Sequence, residues 1–160
     1  MKPSPAHLCF YLDANCVNAK QLNEHLNELE QWRDDGFITL IYSEPAFNEA
    51  GFRNTRRAEK AAGFSYTSIA HEFEENSGMK LAITEVLFPD GLKHQNQLND
   101  VLAVWHAERL QWPLITMDGA SRTQPGGILG RVAELGALGV EVITPAKAVL
   151  RVRAQREHAD

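Results

Sequence analysis

The chain has 160 residues, and its 16 Lys and Arg against 21 Asp and Glu give a net charge of −5. With 44% hydrophobic and 23% charged residues, the composition fits one globular domain over residues 1–160 and excludes a collagen-like, coiled-coil or disordered chain. The acidic balance argues against a protein that coats nucleic acid with its whole surface, although it is compatible with a local basic patch.

The N-terminal part predicts an alternation of strands and helices. The apolar run Leu8–Leu12 predicts a strand buried on both faces, which ends at Asp13. Apolar residues at helical spacing over residues 17–32 predict an amphipathic helix. Residues 37–42 predict a second strand, and Ser43 is a suitable N-cap for a helix after it. Because the first apolar run is too short for a signal peptide or a membrane span, we expect a soluble, cytoplasmic protein.

The rest of the chain continues this alternation. The charged middle predicts helical stretches around residues 56–62 and 68–75, whereas residues 79–88 fit a strand or a helix. The later predicted elements are a helix over 98–111, a strand over 114–117, a helix over 126–139, a strand over 140–144 and a helix that begins at Pro145. Together they predict a three-layer α/β/α fold with a central, mostly parallel sheet.

Acidic residues follow two of the predicted strands. Asp13 and Asp118 stand at strand ends, where ligands bind in open parallel sheets. Asp100 lies at the predicted start of the helix before the Asp118 strand, and Glu49 lies in the helix after the second strand. Four clustered carboxylates repel one another, so we expect Mg²⁺ or Mn²⁺ between them. Such an ion activates water and stabilises developing phosphate charge in phosphodiester hydrolysis.

Each of these acids also has a structural interpretation. Asp13 is a suitable N-cap for the first helix, and Asp100 stands where an acid complements a helix dipole. Asp118 followed by glycine is an ordinary turn. Glu44 is a rival to Glu49 in the same segment. It is the ordered combination, more than any single acid, that favours a site.

Other reactive side chains offer no competing chemistry. The six histidines lack zinc-type spacing, and there is no glycine-rich phosphate loop. Cys9 and Cys16 are expected to be small buried residues, and His106 is expected on a helix surface. The tryptophans are expected to pack in the core. A metal and water mechanism is therefore what the residues allow.

Basic residues next to Glu49 are candidates for binding phosphate. An exposed helix face is an equally open interpretation of this patch. The substrate-binding candidates are Arg53, Arg56, Arg57 and Arg122, with Lys60 beside them.

Four segments in this order resemble the PIN-domain (PilT N-terminus) family, which includes the VapC-like toxins. The matching segments are Leu12-Asp13-Ala14-Asn15, Ser43-Glu44-Pro45-Ala46-Phe47-Asn48-Glu49, Asn99-Asp100-Val101-Leu102-Ala103-Val104-Trp105-His106-Ala107 and Leu114-Ile115-Thr116-Met117-Asp118. The resemblance implies a metal-dependent nuclease acting on single-stranded or structured RNA.

The resemblance also implies roles for individual residues. The catalytic and metal-binding set that it implies is Asp13, Glu49, Asp100 and Asp118 around Mg²⁺ or Mn²⁺. Asn15 and Thr116 match family positions that support the first and last acids by hydrogen bonds.

The functional hypothesis is a metal-dependent endoribonuclease that acts as the toxin of a toxin–antitoxin pair. Its expected partners are an RNA substrate, an antitoxin protein and a second copy of the chain, with no membrane. The alternative is a catalytically inactive PIN-like module that binds RNA or protein. A receiver domain or an aspartyl phosphatase fits less well, because Asp13 has no adjacent acid and Asn15 stands where the phosphatase would need one.

Overall fold

The computed structural model describes residues 6–17, 20–43, 65–67, 78–119 and 126–159. Within these residues, five parallel strands form one sheet in the order β3-β2-β1-β4-β5. The strands are β1 (Leu8–Leu12), β2 (Ile38–Ser43), β3 (Ser65–Thr67), β4 (Leu114–Ile115) and β5 (Val142–Ile143).

Helices form a layer on each face of this sheet. They are α1 (Glu24–Asp34), α2 (Gly78–Leu87), α3 (Gln95–Leu110), α4 (Val132–Ala137) and α5 (Pro145–Glu157). Helix α1 packs against α5 and β2, while α3 packs against α2, β2 and β4. Two short 3-10 helices, Ala14–Cys16 and Ile128–Arg131, follow β1 and precede α4. The predicted three-layer α/β/α fold with a parallel sheet is confirmed.

The order of strand addition reverses between β1 and β4. From β1 the chain adds β2 and β3 on one side, then returns to add β4 and β5 on the other. Leu12 pairs with Ile115, and the Asp13 amide donates to the Ile115 carbonyl at 3.0 Å. The ends of β1 and β4 therefore lie side by side, at the type of switch point where parallel sheets bind ligands.

The core lies around the central strand β1. Phe10, Tyr11 and Leu12 are almost completely buried, which confirms that this strand is covered on both faces. Trp32 and Trp105 are buried with them, as the sequence predicts. Each large side chain buried in this way stabilises the fold by about 1.5–3 kcal/mol.

The first helix begins later than predicted. It starts at Glu24 rather than near residue 17, because the Asn23 side chain accepts a hydrogen bond from the Leu26 amide at 3.0 Å and caps it. Val17 is buried but extended. Val17 is therefore apolar because it is buried in the core, and it is not part of a helical pattern.

The C-terminal elements are shorter or more divided than expected. Residues 79–88, which fit a strand or a helix, are almost entirely helical in α2. Strands β4 and β5 have two residues each, and the helix predicted over 126–139 is divided into the 3-10 helix Ile128–Arg131 and α4. Cys9 is only half-buried, so the expectation of a buried side chain is wrong for it.

Helix α3 begins at Gln95, three positions before the predicted start at residue 98, and its first turn contains no acid. Asp100 therefore lies in the second turn. Since a helix dipole acts mainly within the first turn, this position weakens the structural interpretation of Asp100.

Some sequence-based expectations fall outside the described residues. These include the helix after Ser43 and the helical stretches around 56–62 and 68–75, whereas β3 is a strand that the sequence did not predict. In the part of the chain that the structure describes, no helix has the length and apolar character needed to cross a bilayer.

Candidate acidic site at the ends of β1 and β4

Asp13 is the first residue after β1, and it is only 5% exposed. Its Oδ1 accepts a hydrogen bond from the Ala14 amide at 2.8 Å, and its Oδ2 accepts one from the Thr116 hydroxyl at 2.7 Å. Burying a carboxylate is costly unless hydrogen bonds compensate. Asp13 thus caps the 3-10 helix that follows it, rather than α1, and it joins the ends of the two strands.

Thr116 is fully buried, and its hydroxyl group links the residues around it. While the hydroxyl donates to Asp13, its oxygen accepts from the Asp118 amide at 3.1 Å and from Asn15 Nδ2 at 3.4 Å. Asn15 Oδ1 in turn accepts from the Met117 amide at 3.3 Å. The structure therefore brings Asp13, Asn15, Thr116 and Asp118 together through hydrogen bonds across the two strand ends.

Asp118 is half-buried, and backbone amides of the 3-10 helix before α4 bind both its side chain and its carbonyl. Its Oδ2 accepts a hydrogen bond from the Ile128 amide at 2.9 Å, and its carbonyl accepts from the Leu129 amide at 2.9 Å. A Cβ added to Gly127 would lie 2.6 Å from Asp118 Cγ. Asp118 therefore has a structural role, and its carboxylate has a fixed orientation.

Asp100 and Asp118 line the same cleft, which has a volume of about 500 Å³. Helix α3 contributes Asp100, and Asp118 follows β4. Arg131, at the end of the 3-10 helix before α4, lies on the same cleft. Asp13 does not line it, but the Thr116 hydroxyl links the Asp13 carboxylate to the Asp118 amide. The cleft therefore combines two carboxylates from separate elements with a guanidinium group.

Five candidates from the sequence lie outside the described residues: Glu49, Arg53, Arg56, Arg57 and Arg122. The structure adds Arg131, Phe88 and His94, which line the cleft but were not singled out in the sequence. No local pattern marks these three, because only the packing of separate segments brings them to the acids.

The cleft offers oxygen ligands of the kind that a divalent metal ion binds. Among the described residues, no group of three His, Cys, Asp or Glu side chains is close enough to hold a metal. Mg²⁺, however, usually binds through one or two carboxylates and takes its other ligands from water and phosphate. Asp100 and Asp118 provide two hard oxygen donors on one cleft, so the residues present fit Mg²⁺ or Mn²⁺.

Two buried ionisable groups, Cys16 and His106, do not line the cleft. Burial, and next the nearby Asp13 carboxylate, raise the pKa of the Cys16 thiol well above its usual value of 9.0. Burial, and next Lys80, lower the pKa of His106 from 6.5 to about 4. Cys16 therefore stays a thiol and is a poor nucleophile.

The expected surface position of His106 is wrong. The side chain is fully buried, and its Nδ1 lies 3.2 Å from Tyr11 Oη. Helix α3 is buried on most sides because it packs against both the sheet and α2. A helix covered in this way does not show the amphipathic pattern from which a surface position is inferred.

Comparisons with known proteins give a distant structural similarity. No protein-family model matches the sequence, and no curated protein matches it. The fold is similar to a chain in the crystal structure of VapBC2 from Rickettsia felis bound to a DNA fragment from its promoter, with a TM-score of 0.48 and 14% sequence identity. The match covers 86% of this chain and 98% of that chain. At this similarity we assign the chain to no family.

Proposed function

We propose that the protein is a Mg²⁺- or Mn²⁺-dependent endoribonuclease that hydrolyses RNA phosphodiester bonds. The main support is that Asp100 and Asp118, from a helix and a strand end, line one cleft at the switch point of a parallel sheet. Hard carboxylate oxygens in such a cleft suit a divalent cation and a phosphate substrate.

Asp100 and Asp118 are the residues that would hold the metal, and Glu49 and Asp13 complete the proposed set. When bound, the ion would supply an activated water and stabilise the charge that develops on the phosphate. The Ile128 amide fixes the Asp118 carboxylate. Asp13 keeps the Thr116 hydroxyl in place, which in turn fixes the Asp118 backbone. Partners of this kind orient metal ligands and tune their affinity.

The test is cleavage of a mixed single-stranded RNA pool in Mg²⁺, Mn²⁺ or chelator. We expect metal-dependent cutting that Asp118→Asn and Asp100→Asn each reduce by more than about 100-fold, the upper range for losing an outer partner of a metal ligand. Glu141→Gln removes an exposed acid before β5, at the opposite edge of the sheet, and should leave the rate unchanged.

Two results would contradict the proposal. One is a folded wild-type protein that cuts no RNA in any metal, and the other is equal cutting by the Asp→Asn variants. A thermal melt of each variant shows whether the fold is kept.

A second candidate function is an inactive module that binds RNA or protein. It is favoured by the structural hydrogen bonds of Asp13 and Asp118. RNA binding without cutting in any metal would support this function.

The proposed cellular role is that of a cytoplasmic toxin restrained by an antitoxin protein, and the chain is proposed to pair with a second copy. This role follows from the sequence resemblance. Growth arrest on expression, absent in Asp118→Asn, is the expected result. Expression without any effect on growth would contradict the toxin role while leaving the nuclease proposal to the cleavage test.

A further inference from the structure

Arg131 lies beside the acids as a consequence of how Asp118 is held. The Leu129 amide donates to the Asp118 carbonyl at 2.9 Å, and the Gly130 amide donates to the Gly127 carbonyl at 3.0 Å. Arg131 follows directly and lines the cleft. The backbone contacts that fix Asp118 therefore also fix the position of the arginine.

The side chain of Arg131 is accessible to a ligand. It is 43% exposed, and its ion pair with Glu134 has a distance of 3.7 Å. Exposed pairs of this kind contribute little to stability, so a phosphate could replace the carboxylate at small cost. Arginine is well suited to this exchange because its planar group donates two parallel hydrogen bonds to phosphate oxygens.

An aromatic ring lies on the same cleft. Phe88 is the residue after α2, where its amide donates to the Thr84 carbonyl at 2.8 Å. It is half-buried, packs against the hydrophobic core and lines the cleft with Asp100 and Asp118. A phenyl ring supported from behind and open on one side can stack on a nucleobase.

We propose that Arg131 and Phe88 form a nucleotide-binding subsite beside the two carboxylates, a proposal that rests on the nuclease function above. Arg131 binds a backbone phosphate, and Phe88 stacks on an unpaired base. The cleft volume of about 500 Å³ is within the usual range for small-ligand sites. Bases of a duplex are stacked on one another and cannot reach such a ring, so the substrate class is single-stranded RNA.

Binding without cleavage tests the arginine. A short fluorescent single-stranded oligoribonucleotide is titrated in chelator, and anisotropy is measured over a range of salt concentrations. We expect Arg131→Gln to weaken binding about tenfold and to lower the slope of log affinity against log salt by about one. The matched control is Arg151→Gln, since Arg151 also has one ion pair and is similarly exposed, at 39%. It does not line the cleft, and its substitution should change neither quantity.

An abasic strand of the same length tests the phenylalanine. Phe88→Leu keeps an apolar side chain but removes the aromatic face. We expect it to weaken binding of the normal strand by about tenfold and to leave binding of the abasic strand unchanged. Arg131→Gln should weaken both strands, because both have the same phosphates.

The outcomes separate this subsite from the nuclease activity. Equal binding by Arg131→Gln and Arg151→Gln, or an equal effect of Phe88→Leu on both strands, overturns the subsite even if the wild type cuts RNA. The expected binding pattern in a protein that cuts no RNA supports the subsite and refutes the nuclease proposal. Melting curves confirm that each variant is folded at the assay temperature.

Discussion

Polar residues lie in different environments at the two ends of the parallel strands, the carboxyl edge where the strands end and the amino edge where they begin. At the carboxyl edge, Asp13 and Thr116 are buried and bonded to each other and to the backbone. At the amino edge, the His7 ring lies 2.8 Å from the Thr39 hydroxyl in an exposed contact. Arg151 and Glu141 form an exposed ion pair at this edge.

This difference has energetic consequences. A buried polar group that loses its partner costs about 1–3 kcal/mol, whereas an exposed ion pair contributes about 0–1 kcal/mol. Substitutions at the carboxyl edge should therefore affect both stability and the site. Substitutions at the amino edge should affect neither by much.

The largest expected effect is that of Gly127→Ala at the carboxyl edge. The new Cβ would lie 2.6 Å from both Asp118 Cγ and the backbone nitrogen of Gly119. Because a backbone atom cannot move away as a flexible side chain can, we expect a loss of about 3 kcal/mol in unfolding free energy. Chemical denaturation measures this loss.

The matched control is Gly136→Ala in α4. No atom lies within 4 Å of a Cβ at Gly136, and alanine favours a helix more than glycine by up to about 1 kcal/mol. We expect unchanged or higher stability. If Gly127→Ala were as stable as the control, the close packing behind Asp118 would not constrain the site.

The next effect concerns the pH dependence of stability. Burial, and next Lys80, lower the pKa of His106 from 6.5 to about 4 in the folded protein. The unfolded chain therefore binds a proton more readily, and stability from this residue is present above pH 6.5 and is lost as the pH falls towards 4. A shift of this size corresponds to up to about 3 kcal/mol.

Urea denaturation at several pH values measures the contribution of His106. We expect His106→Gln to show a smaller loss of stability on acidification than the wild type. The exposed residue His25 on α1 provides the control His25→Gln, which should keep the wild-type dependence. Parallel curves for the wild type and His106→Gln would contradict a buried neutral histidine.

Sequence patterns predicted the fold where local and tertiary signals agree. Strand β1 was found because a run buried on both faces is continuously apolar. The start of α1 was misplaced because Leu22, which fits the helical spacing, is 81% exposed and precedes the Asn23 cap. The start of α3 had no signal, since its N-cap His94 makes no side-chain hydrogen bond to the helix.

The candidate site was predictable only in part. The positions of Asp13 and Asp118 follow from strands that end on acids, and a parallel sheet places such ends at one edge. The sequence does not reveal that the Ile128 amide binds the Asp118 carboxylate. It is also silent on the presence of Arg131 at the cleft. These contacts join segments whose spacing in the sequence has no periodic pattern.

A threonine-to-valine substitution made at each edge compares the two edges directly, and its expected effect is smaller than those above. Thr116→Val removes the hydroxyl that donates to Asp13 and accepts from the Asp118 amide. The buried Asp13 carboxylate then loses one of its donors, so we expect a loss of about 2 kcal/mol in unfolding free energy and a roughly tenfold lower cleavage rate.

The same change at the amino edge is Thr39→Val. The hydroxyl of Thr39 contacts only the exposed His7 ring among the hydrogen bonds observed for the described side chains. We expect a change within about 0.5 kcal/mol and no effect on cleavage. Similar losses for the two threonines would show that the edges do not differ as described.

A small effect is also expected for the coupling between Arg151 and Glu141. Their side chains are 39% and 50% exposed, so water competes for the pair and salt screens it. In a double-mutant cycle with Arg151→Gln and Glu141→Gln, we expect a coupling free energy below about 1 kcal/mol that disappears near 1 M salt, where the screening length is about 3 Å. A coupling above about 2 kcal/mol that persists in high salt would mean that the amino edge, like the carboxyl edge, is held by shielded charges. The contrast between the edges would then lie in the chemistry of the cleft and no longer in the burial of polar groups.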